Sequence, residues 1–74
     1  MIEVTQIKEA TKAAGITLGV SVEDCLDIDF NDLGLDSLDL FNLFLELENI
    51  TDVSIADSDV DTMKTFSDII KYYK

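Results

Sequence analysis

Leu33-Gly34-Leu35-Asp36-Ser37-Leu38-Asp39-Leu40 is the stretch that decides how this chain is read. Asp36 has the side chain of a helix N-cap, and Asp39 stands three residues on, in a capping-box-like arrangement. The stretch predicts a helix that begins beside Ser37 and runs to about Asn49. A helix start presents unpaired backbone N–H groups and the positive end of the helix dipole. A serine oxygen placed there suits a phosphate, because the anion then sits where the helix favours it. It does not suit a nucleophile, which needs an adjacent base, and the chain has no histidine. Ser37 therefore reads as a modified residue, and no catalytic residue is assigned.

On the N-terminal side, Val4, Ile7, Lys8, Thr11 and Ala14 follow helical spacing, with Gly15 placed to stop that helix. About twenty residues of mixed polarity then lead to Asp36, which is long for a plain loop. Ile16, Leu18, Val20, Val22, Leu26, Phe30 and Leu33 are expected to pack this connection onto the rest. On the C-terminal side, Thr51-Asp52 breaks the helical pattern. Asp57 or Ser58 can start a short third helix through about Asp61, and Thr65 or Ser67 a last one ending at Tyr72-Tyr73. The expected fold is all-α: one small four-helix bundle over residues 1–74, with a long first loop and a short third helix.

The 74 residues carry sixteen acidic and five basic side chains, a net charge of −11. All five lysines (Lys8, Lys12, Lys64, Lys71 and Lys74) lie near the ends, and residues 13–63 hold thirteen acids and no base. Such a one-signed block repels itself, more strongly than solubility alone requires. It makes nucleic acid and anionic membrane poor partners and basic protein surfaces or cations good ones. No stretch reaches the roughly 18 apolar residues of a membrane span, and the N-terminus has no signal-peptide pattern. Cys25 is the only cysteine, so an intramolecular disulfide is ruled out and a reducing, cytoplasmic setting is expected. Its plain reading is a small, partly buried apolar residue or an idle surface thiol.

The helix after Ser37 has more apolar surface than one core stripe needs. At about 100° per residue, Leu40, Leu43, Phe44 and Leu47 share one side, the expected core stripe. Leu38, Phe41 and Leu45 form a second cluster, bordered by Asp39, Asn42, Glu46 and Asn49. Leucine and phenylalanine beside carboxylates is a docking-face pattern, in which the acids steer and the apolar groups anchor. A central helix buried on both sides is the rival arrangement.

Phe30-Asn31-Asp32-Leu33-Gly34-Leu35-Asp36-Ser37-Leu38 resembles the modification site of the acyl carrier protein family. The similarity continues along the following helix, through Ile55, to Thr65-Phe66 and Ile69-Ile70-Lys71-Tyr72. The resemblance implies a carrier domain with 4′-phosphopantetheine on Ser37, installed from coenzyme A by a phosphopantetheinyl transferase that Asp36 helps to dock. It implies acyl groups held as thioesters and shown to acyl-transferring, condensing or modifying enzymes with basic docking surfaces. Leu38, Asp39, Phe41, Leu45 and Glu46 would face those partners. Phe44, Leu47, Ile55, Val60 and Met63 would line a space for the acyl chain. Asn42, Glu46, Asn49 and Ile50 stand where fatty-acid members usually differ, so fatty acid, polyketide and related specialised biosynthesis all stay open. Met1 directly before the first helix suggests a free-standing monomer.

Two other readings compete. Asp57-Ser58-Asp59-Val60-Asp61 supplies oxygen ligands at positions one, three and five of a calcium loop. Position six is Thr62 instead of the glycine that the turn requires, and position twelve is Asp68 instead of a bidentate glutamate. An EF-hand is therefore not expected, and no metal ligands are assigned. An acidic helical protein-interaction or calcium-binding module without a prosthetic group is the alternative function. It accounts for the charge, but it gives no reason for Asp-Ser-Leu at a helix start.

Overall fold

The computed structural model describes residues 2–73, and Met1 and Lys74 lie outside them. Four helices form along these residues: α1 (Val4–Ala13), α2 (Ser37–Thr51), α3 (Asp57–Val60) and α4 (Phe66–Tyr72). A 3-10 helix, Val22–Cys25, interrupts the long first connection, and there is no strand among the described residues. The radius of gyration is 10.9 Å, close to the roughly 11 Å of a compact chain of this length.

The ends of the helices are chemically marked. Beyond α1, Gly15 takes the left-handed φ of 75°. Gly15 N then donates to Lys12 O and Ile16 N to Thr11 O, which satisfies two end carbonyls. α2 ends at Asp52, the one non-glycine residue with positive φ (58°) among those described. It runs two residues beyond the expected Asn49 because that left-handed turn, and no earlier residue, breaks the ladder. Thr65 caps α4: its hydroxyl accepts from Asp68 N at 3.1 Å, and Asp68 Oδ2 accepts from Thr65 N at 3.2 Å. Ser67, the other candidate start, instead donates its hydroxyl to Asp27 across the fold.

α1 packs on α2 and buries Ile7, Ala10 and Thr11, and the core continues through Leu43, Phe44, Leu47, Phe66 and Ile69. The connection closes one end of this core. Val22, Cys25, Phe30 and Leu35 are buried, and Phe30 meets Phe66 edge-on at 5.1 Å. Main-chain bonds from Ser67 N to Leu26 O and from Phe30 N to Lys64 O staple it to the C-terminal segment. Lys8 and Glu23 pair at 2.7 Å on the outside, and the ammonium beside Glu23 lowers its pKa. Val20 departs from expectation: a bend at Gly19–Val20 turns it outward, and it is 48% exposed. Ala10 and Ile2, which the helical spacing did not mark, are buried. Cys25 is a packed core residue whose thiol donates to Ser21 O at 3.3 Å, and burial pushes its pKa up.

α3 is the least anchored element. None of its residues is buried, and it follows the buried Ile55. Ile55 N donates to Glu48 Oε2 at 2.8 Å, and the Tyr72 hydroxyl donates to Asp59 Oδ2 at 3.0 Å. The Asp57–Asp61 stretch considered as a calcium loop is thus a helical turn tied to α2 and α4.

Candidate functional site

The route into Ser37 is a turn, an anchor and a cap. Leu33 N donates to Asp29 O and Gly34 N to Asn31 O, a helical turn that Gly34 ends with φ of 80°. A Cβ at Gly34 would meet nothing within 4 Å, so backbone conformation, and not space, favours glycine there. Leu35 then turns into the core, leaving Asp36 extended and exposed at the start of α2.

The expected capping box is present. Asp36 Oδ1 accepts from Asp39 N at 2.9 Å, and Asp39 Oδ2 accepts from Asp36 N at 3.3 Å. The two aspartates make this cap between themselves and leave the Ser37 hydroxyl out of it. Ser37 is the exposed first residue of α2, with the positive helix end behind it. Asp39 is half-buried, and the cap already uses one of its oxygens.

The second apolar cluster of α2 is on the surface. Leu38 is 67% exposed, Phe41 61% and Leu45 43%, and no buried side of the helix includes them. Glu46 is half-buried beside this strip. Three of the four core-stripe residues are buried, whereas Leu40 is half-buried because it lines a groove next to Ser37.

Two grooves separate α2 from the segment around α3. The first, about 280 Å³, lies between Phe41, Phe44, Leu45 and Glu48 on α2 and Ile55, Asp57, Val60 and Asp61 opposite. The second, about 380 Å³, opens at Ser37 and runs past Leu40, Phe41, Val60 and Met63, with Asp29, Phe30, Asn31, Asp61 and Lys64 at its edges. Phe41, Val60 and Asp61 line both, so the grooves adjoin across Val60. Of the five residues expected around one acyl space, Phe44, Ile55 and Val60 meet in the first groove, and Val60 and Met63 in the second. Leu47 lines neither, a correction to that set. Its place on α2 turns it into the core, where it is fully buried.

The sequence does not single out Glu48; it marks Asp57 and Asp61 only as calcium-loop oxygens and helix bounds, and Lys64 only as one of the five lysines near the ends. They reach the grooves through the packing of the 52–65 segment on α2. Among the described residues, no three His, Cys, Asp or Glu side chains are grouped to hold a metal ion, and no helix is long and apolar enough to cross a membrane.

Comparison with known proteins gives this geometry a family. The family model described as a phosphopantetheine attachment site matches residues 11–73. An acyl carrier protein of Syntrophus aciditrophicus is 44% identical over 59 residues, covering 77% of this chain and 74% of that protein. An acyl carrier protein of Phytoplasma australiense is 51% identical over 41 residues, 55% of this chain and 54% of its own length. One of Amoebophilus asiaticus is 31% identical over 72 residues, covering 97% of this chain and 81% of that protein. No solved structure matches the chain. The chain belongs to the acyl carrier protein family, whose members bear a covalently attached phosphopantetheine and are carriers, not enzymes.

Proposed function

We propose that Ser37 Oγ is the attachment point of 4′-phosphopantetheine. In this reading the chain is one carrier domain that presents acyl groups to enzymes of fatty acid, polyketide or related specialised biosynthesis. One observation carries the assignment: an exposed serine hydroxyl opens the longest helix of an acyl carrier protein, outside the cap that its two aspartate neighbours form. The residues suit the group. The hydroxyl is free to form a phosphodiester, the helix start favours the resulting anion, and a groove opens beside it. When bound, the arm supplies a thiol on which acyl groups travel as thioesters.

This chain's own residues present and do no chemistry. The carboxylates beside Ser37 are engaged in the cap and the chain has no histidine, so the base for loading is assigned to the phosphopantetheinyl transferase, which Asp36 helps to dock. Leu38, Phe41 and Leu45 anchor the transferase and later partners, while Asp39 and Glu46 attract their basic surfaces. Contacts of this small, charge-steered kind release quickly, as a carrier that visits several active sites requires. Tethering raises the effective concentration of the cargo at each site. Buried Cys25, with no second cysteine to pair with, suits a monomer in a reducing cytoplasmic compartment.

The parent and a Ser37→Ala variant, incubated with coenzyme A and a broad-specificity phosphopantetheinyl transferase, test the assignment by intact mass. The parent gains one arm and the variant none; an unmodified, folded parent would overturn it. For the cargo, Phe44, Ile55, Val60 and Met63 offer apolar walls. A chain-length series of acylated forms should show rising thermal stability, and a flat series would reject a sheltered acyl chain.

A further inference from the structure

The groove that opens at Ser37 has one cationic side chain in its wall, Lys64. Residues 13–63 contain no lysine or arginine, so Lys64 is the first positive charge after the acidic block. Its main chain is held on both sides: Lys64 O accepts from Phe30 N at 2.8 Å, and Lys64 N donates to Asp68 Oδ2 at 2.8 Å. These bonds fix Lys64 against the turn that leads into Ser37, while the residue itself stays exposed. The one ion pair among the described residues, Lys8 with Glu23, does not involve it. Asp29 and Asp61 share the groove wall and are its competing partners.

We propose that Lys64 is the anion anchor for the phosphodiester on Ser37 and seats the first part of the arm in this groove; the proposal rests on the attachment reading above. Loading adds a negative charge to a chain of net −11, next to Asp36 and Asp39. An ammonium in the adjoining wall offsets that repulsion with a charge-assisted hydrogen bond to a phosphate oxygen. Phe41, Val60 and Met63 then offer an apolar floor to the methyl and methylene groups beyond the phosphate. Seated in this way, the arm rests on the carrier between partners and does not swing freely.

The test compares unloaded and pantetheine-loaded forms of the parent, Lys64→Gln and Lys64→Arg by urea unfolding at low and high salt, with the phosphorus NMR shift of each loaded form. The three unloaded proteins should unfold alike, as expected for an exposed side chain. Loading should lower the folding equilibrium constant of Lys64→Gln about two- to fivefold more than that of the parent at low salt. High salt should shrink the gap, Lys64→Arg should close it, and the phosphorus shift should move in the glutamine variant alone. Equal loading penalties and equal phosphorus shifts in all three proteins would overturn the anchor and leave the attachment reading intact. Failure of the parent to gain the arm would overturn both, and intact mass separates the two results.

Discussion

The two faces of α2 use the same side chains for opposite purposes. Leu43, Phe44 and Leu47 are buried against the rest of the bundle, whereas Leu38, Phe41 and Leu45 stand in solvent one helical face away. Each large side chain left in water forgoes about 1.5–3 kcal/mol of burial, a substantial share of the stability of so small a domain. The difference lies in what covers each face. α1 packs on α2. On the other side two grooves separate α2 from residues 29–31 and 55–64, and the helix there, α3, has four residues with none buried, held by Ile55, the Glu48 carboxylate and the Tyr72–Asp59 bond. Hydrophobicity thus determines which positions can be buried, and the path of the neighbouring chain determines which of them are.

The sharpest break in this contrast is Leu47→Ala. It leaves a cavity in the fully packed face, and urea unfolding should show a loss of about 2–5 kcal/mol. A loss near zero would mean that the inner face is not a packed core. Asp36→Ala should cost about 0.5–2 kcal/mol by removing the cap that precedes Ser37, and Asp36→Asn should restore most of it. If asparagine fails, the contribution of Asp36 is charge and not capping.

Tyr72→Phe probes the thin cover over the outer face. Losing its bond to Asp59 should cost about 0.5–1.5 kcal/mol and speed amide exchange in residues 57–60 more than in α1. Uniform acceleration would show that α3 is held by the core and not by that latch. Phe41→Ala should have the smallest effect on folding, within about 0.5 kcal/mol, while slowing loading by the transferase. An unchanged loading rate would remove Phe41 from the docking face.

The helix boundaries were legible where one residue type controls the local backbone. Asp36 with Asp39, Thr65, Gly15 and the break at Thr51-Asp52 all act within four residues of the atoms they satisfy. The paired apolar clusters of α2 were legible from helical periodicity, although periodicity left open which cluster faces solvent. The long connection was not legible in the same way. Where it lies on the fold depends on bonds to the C-terminal segment such as Ser67 to Asp27, forty residues apart in sequence, and Phe30 N to Lys64 O. The groove residues share this property. Glu48 and Lys64 enter the site, and Leu47 leaves it, through the packing of the 52–65 segment, which no local spacing encodes.

The most direct measurement is peptide-level mass spectrometry of the protein after exposure to coenzyme A and a phosphopantetheinyl transferase. The account predicts a single arm, found only on the peptide containing Ser37 and localised by fragmentation to that side chain. An arm on Ser21, Ser54, Ser58 or Ser67, or none on a demonstrably folded chain, would contradict it.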